Sequence, residues 1–195
     1  MLERARRFVD ILFGEGTVTD ADPEDLFNIS TAEMDLEMGG YEGLDRAGLC
    51  FNRVDSVDFD QVMADIEGML DTADLDTRTD SEVIDDDYGY TWVLLEDPLF
   101  DDLVTNVHMV TDTLIEEGYE NYLLCAVFAF GVEDRDDVEL YWIYNFKRGT
   151  WYPFAPLAEG NRTEDVEADA RELMDGHLDL EPDESRQYPL WGIPF

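Results

Sequence analysis

The stretch NYLLCAVFAFGV, residues 121–132, is too apolar for a strand at the edge of a sheet. It belongs in the centre, and the remaining elements have to be arranged around it. Upstream, RAGLCFNRV has strand character. A helical pattern follows whose inner face is Phe59, Val62, Ile66, Met69 and Leu70, with Asp58 placed to cap it. DTRTDSEVID and YGYTWVLLE then read as two strands, with DDDYG as the turn between them. Leu99, Leu103, Val107, Val110, Leu114 and Ile115 recur at helical spacing up to a stop at Gly118. Beyond the central strand, VELYWIYNF and TWYPFAPL form a hairpin around KRG, and a last helix spans about residues 163–174.

The order strand-helix-strand-strand-helix-strand is a split β-α-β plan. It predicts a single α+β domain over residues 1–195. Its sheet is mostly antiparallel, of about six strands, with the hairpin joined to the split core and helices on one face. In such a sheet the first and fourth strands are neighbours, which brings Cys50 and Cys125 close without a bond between them. Residues 1–40 form an N-terminal helical extension in this reading. Its first helix carries Leu2, Ala5, Phe8, Val9, Leu12 and Phe13 and ends at Gly14 and Gly16. Its second lies in DPEDLFNISTAEMDLEM, with Ser30 or Thr31 as the cap. Residues 176–195 are an irregular C-terminal tail, and no internal repeat is present.

Charge constrains the environment more than the fold. Asp and Glu number 49 against 12 Lys and Arg, for a net charge of −37 spread along the whole chain. Self-repulsion on that scale opposes a compact state in dilute buffer. At molar salt the Debye length falls to about 3 Å and most of the repulsion is screened. The even spread and the near absence of lysine point to a salt-adapted halophilic protein rather than to an acidic mimic of nucleic acid. Free nucleic acid is excluded as a partner, because phosphate binding needs a basic surface. No apolar run is long enough to span a bilayer, and no signal peptide is visible. Cys50 and Cys125 have no metal or redox spacing and sit in apolar stretches, which suits reduced thiols in a cytoplasm.

Against this background NFKRGTWYPFAP stands out. It holds Lys147, the only lysine, next to Arg148 and among aromatic residues. Gly149 supplies the positive φ that a tight hairpin needs. The two cations either pair with nearby carboxylates or form a positive spot framed by Tyr144, Trp151, Tyr152 and Phe154. The second arrangement would hold an acidic segment of a protein partner, or an anionic small ligand. Tyr88, Tyr90 and Trp92 alternate and so share one face of a strand, as core or as an exposed aromatic patch. Arg4, Arg6 and Arg7 give the first helix a basic face for a partner or, at most, peripheral contact with a membrane.

Catalytic signatures are missing. His108 and His177 are the only histidines, and HExxH, G-x-S-x-G, P-loop and GxGxxG patterns are absent. No metal or cofactor is expected, and the chain reads as a non-enzyme. The rival classes are a secretion-chaperone-like domain that binds an unfolded client, for which a homodimer is one expected form, and an uncharacterised small-ligand-binding protein or hydrolase.

LFNISTAEMDLE, DDDYGYTWVLLE, LLCAVFAF, NFKRGTWYPFAP and EPDESRQYPLWGIPF, in this order, resemble the PspA-associated protein family called PspAB. That family occurs in actinobacteria and haloarchaea, so the resemblance fits a haloarchaeal member. It implies an accessory or adaptor role in the phage-shock envelope-stress response. The partners it implies are PspA, a coiled-coil membrane-remodelling protein, or an HtpX-type membrane protease. It carries over no catalytic residue.

Overall fold

The computed structural model describes residues 21–77, 79–86, 88–158 and 160–195. Six strands form one antiparallel sheet: β1 (Tyr41–Asn52), β2 (Asp80–Asp85), β3 (Tyr90–Glu96), β4 (Leu123–Val132), β5 (Glu139–Asn145) and β6 (Thr150–Phe154). Their spatial order is β2-β3-β1-β4-β5-β6. β7 (Pro156–Ala158) and β8 (Asn161–Arg162) add a small hairpin. The helices are α1 (Phe27–Met38), α2 (Val57–Thr77), α3 (Phe100–Glu116) and α4 (Glu164–Met174). The protein is therefore α+β, with the single antiparallel sheet that the element order predicts.

β4 is an inner strand, and its neighbour is β1. Cys50 lies directly opposite Cys125 across that pair, and both thiols are free and buried. Burial, reinforced by the Cys125 thiol, pushes the Cys50 thiol well above its usual range. The thiolate is the reactive form, so both cysteines should resist a thiol reagent in the folded protein and react promptly once denaturant is added. Fast labelling without denaturant would show that the sheet centre opens.

Alternation sorts the strand side chains onto two faces. Leu49, Phe51, Val93, Phe128, Phe130, Trp142, Tyr144 and Trp151 point to the helix side. There they meet Ile29 and Leu36 of α1, Phe59 and Ile66 of α2, Leu103 and Val107 of α3, and Val166 and Met174 of α4. The opposite face carries Cys50, Tyr90, Trp92, Cys125, Ile143, Tyr152 and Phe154. Leu190, Trp191, Ile193 and Phe195 of the C-terminal tail pack against it. With both faces covered, β4 has no solvent side, which is why its sequence is apolar without interruption.

The helix ends differ in part from expectation. α3 stops as predicted, in a Schellman motif around Gly118 at φ +82°. Tyr119 N–H donates to Leu114 O at 2.7 Å and Gly118 N–H to Ile115 O at 2.9 Å. α1 starts earlier than Ser30 or Thr31, following a 3-10 turn at Pro23–Leu26 that Asp22 caps through Glu24 N–H. Proline at the first position prepays the dihedral there. Thr31 instead bonds back to Phe27 O, and Ser30 donates to Asp101 of α3. At α2 the capping oxygen is Ser56 Oγ, 3.1 Å from Phe59 N, and not Asp58. β1 is also longer than RAGLCFNRV. Its first residues pair with β4 alone and are interrupted by a bulge between Gly43 and Ala47.

Candidate functional site

The hairpin between β5 and β6 closes as its residues require. Asn145 O accepts from Arg148 N–H at 3.0 Å and Gly149 N–H at 2.8 Å, while Asn145 Oδ1 accepts from Lys147 N–H at 2.9 Å. Gly149 has φ +63°. A Cβ there would lie 3.5 Å from Ala21 Cα, so the position is strained for other residues without being closed to them.

Both cations turn back onto their own chain. Lys147 Nζ donates to Asn121 O at 2.6 Å, and burial lowers the Lys147 pKa against the opposing pull of Glu120. Arg148 Nε lies 3.8 Å from Oε2 of Glu181, a buried carboxylate. Thr150 Oγ1 and Asp183 N–H also donate to Glu181, at 3.2 and 3.1 Å. Around it the tail joins the sheet. Trp151 N–H donates to Asp179 O and Glu181 N–H to Trp151 O, both at 2.8 Å. Arg171 Nη2 and Gln187 Nε2 hold Glu181 O at 2.7 and 3.1 Å. Arg148 therefore helps clasp the tail to β6.

The aromatic frame is corrected by the same geometry. Tyr144, Trp151, Tyr152 and Phe154 are all fully buried and offer no surface to a partner. Trp151 sits 5.0 Å from Tyr144 and 5.9 Å from Phe128, centroid to centroid. Phe154 lies between Trp191, at 5.1 Å, and the guanidinium of Arg162, at 5.3 Å. The rings alternate down a strand whose two faces are both covered, so each finds a core. Tyr90 and Trp92 are likewise buried, and only Tyr88, at the turn, is 41% exposed. Asp86 shapes that turn by accepting Tyr88 N–H and Tyr90 N–H at 2.8 and 2.9 Å. Arg4, Arg6 and Arg7 lie outside the described residues.

Arg148→Glu should set a second carboxylate beside buried Glu181. We expect a loss of about 2 kcal/mol and faster amide exchange at Glu181 and Asp183. Lys147→Glu should cost about 1 kcal/mol or less, since its contact is exposed. Equal losses in denaturant titrations would contradict the clasp.

Little catalytic chemistry is assembled among the described residues. His108 Nε2, in α3, faces Glu24 at 3.3 Å, and His177 Nδ1, just after α4, faces Asp35 at 3.6 Å. A cleft of about 670 Å³ runs between the start of β1 and the β4–β5 turn. Its polar lining is mostly acidic, with Glu37, Glu42, Glu133, Asp134, Asp136 and Glu139 around the single Arg135. No group of three or more His, Cys, Asp or Glu among the described residues is placed to hold a metal ion. No described helix is long and apolar enough to cross a membrane.

One surface was not singled out by residue pattern. Met34 and Met38 of α1 are 71% and 81% exposed, and Leu99, just before α3, is 60% exposed. The signal was present in AEMDLEM. Two methionines one turn apart are offset from the buried stripe of Ile29, Ala32 and Leu36, so α1 is apolar on two sides.

The fold and these sites define a single-sheet α+β protein whose basic hairpin is an internal clasp and whose conspicuous apolar surface is one helix end. The chain belongs to the family described as PspA associated protein B, whose model matches residues 6–195. No curated protein and no solved structure matches the chain.

Proposed function

We propose that this protein is a non-catalytic accessory of the phage-shock envelope-stress response, acting in the cytoplasm by binding a PspA-type coiled-coil protein. The observation that carries this reading is the family match over residues 6–195, under a description that names association with PspA. Exposed Met34, Met38 and Leu99 support it, since isolated apolar residues are common on surfaces but two methionines stacked one turn apart mark an adaptable contact face. At molar salt rim charges are screened, so apolar burial has to supply most of the affinity.

The test is capture from native-host extract at molar salt, with PspA and HtpX-type protease quantified by mass spectrometry. Enrichment of PspA supports the proposal. Enrichment of the protease without PspA moves the role to that partner, and enrichment of neither overturns it.

A further inference from the structure

We infer that the outer face of α1, with the start of α3, is a docking surface for an amphipathic helix that carries basic residues beside its apolar stripe. The inference rests on the binding reading above and names the chemistry of the partner.

α1 lies alongside α3 in the opposite direction. Phe27 stacks on His108 at 4.7 Å, and Ser30 hydrogen-bonds to Asp101. The next turn of α1 therefore reaches the end of α3 that carries Leu99. Met34, Met38 and Leu99 thus stand at one end of the helix pair, exposed by 71%, 81% and 60%. Ile29, Ala32 and Leu36 already anchor α1 to the core, so the methionines are not needed for folding.

The charge around this patch selects the occupant. Glu33 and Glu37 on α1 and Asp101 and Asp102 on α3 surround it, and none of the four forms an ion pair among the described residues. Asp101 lies against both Glu33 and Asp102. Partial burial, then Asp101 and Glu37, raises the Glu33 pKa, and partial burial, then Asp97 and Asp101, raises that of Asp102. A second copy of the chain would bring the same four acids to the contact and is disfavoured. A helix with apolar residues at i, i+4 and Lys or Arg beside them would cover the methionines and relieve the crowding together.

The experiment uses the full chain at molar KCl and a fluorescein-labelled Leu/Lys peptide of about 18 residues in an amphipathic helical pattern. A scrambled peptide of the same composition serves as the comparison. Fluorescence anisotropy should show the patterned peptide binding at least 10-fold more tightly than the scrambled one. Met34→Glu with Met38→Glu should remove that difference, and near-UV circular dichroism checks the fold. Met34→Gln with Met38→Gln should weaken binding in the same direction if the charged pair perturbs α1. Equal binding of both peptides, or unchanged binding by the variants, overturns the surface. So does a wild-type dimer in light scattering that the variants dissolve. Capture of PspA by wild type and by the variants alike would sink this surface while leaving the accessory role intact. Loss of capture by wild type itself would sink that role instead.

Discussion

Trp151→Ala should cost about 3–5 kcal/mol, a large share of the roughly 5–15 kcal/mol that holds a domain folded. The indole is fully buried between Tyr144 and Phe128, and its backbone links the tail to the sheet on both sides. Removing it leaves a cavity beneath the clasp at Glu181. Trp151→Phe should cost far less, because most of the ring volume stays and the indole Nε1, buried with no hydrogen-bond partner among the described residues, goes. Denaturant midpoints at molar salt measure both. If Trp151→Ala kept wild-type stability and lost only PspA capture, Trp151 would be a contact residue after all.

Removal of residues 188–195 should cost about 4 kcal/mol and create a binding site for a hydrophobic dye. Leu190, Trp191, Ile193 and Phe195 each pack partly against the second face of the sheet, and half-burial of an apolar side chain is worth about 1 kcal/mol. Two arginines strengthen the cover. Arg46 lies 5.5 Å from the Phe195 ring centroid, and Arg162 donates to Gln187 O at 3.1 Å. Phe195 also sits against Gly48, where an added Cβ would approach the ring to 3.3 Å. Gly48→Val therefore tests the same contact from below, and should loosen the tail without touching its sequence. An unchanged midpoint with no dye signal would mean that the tail is not part of the core.

Acidification reports on three carboxyl groups, Glu33 and Asp102 of the helix pair and Asp25 before α1, whose pKa values are raised first by burial. Glu33 and Asp102 have folded pKa values above their unfolded ones, so the folded state binds their protons more tightly. Stability should then rise as pH falls through the window just above the ordinary carboxylate range, and decline as pH climbs back through it. Glu33→Gln should flatten that slope in thermal melts at molar salt. A steeper slope in the variant would contradict the crowding at α1 and α3.

Much of the fold was legible in the residues. Apolar periodicity placed the split β-α-β core, and that plan paired Cys50 with Cys125 across strands separated by more than seventy positions. Gly118 and Gly149 announced the end of α3 and the last hairpin because positive φ has a local cause. The site was less legible. In a chain with 49 acids no carboxylate stands out, yet the structure buries two and partly covers a third for distinct tasks. Asp97 accepts from Thr79 and from Leu99 N–H, Glu181 receives Arg148, and Asp86, partly covered, shapes the β2–β3 turn. Likewise Met34 and Met38 have the same residue type as a core residue, and only the position of the buried stripe tells which side of α1 faces water.

Local pattern and short-range chemistry thus determined the elements, their order and the turns, because dihedral preference and periodicity act over a few residues. Which rings are covered, where Lys147 and Arg148 find their partners, and what conceals the second face of the sheet were decided by the tertiary structure. Those outcomes depend on the tail returning to β6 across some thirty positions, and nothing in NFKRGTWYPFAP alone encodes the arrival of Glu181.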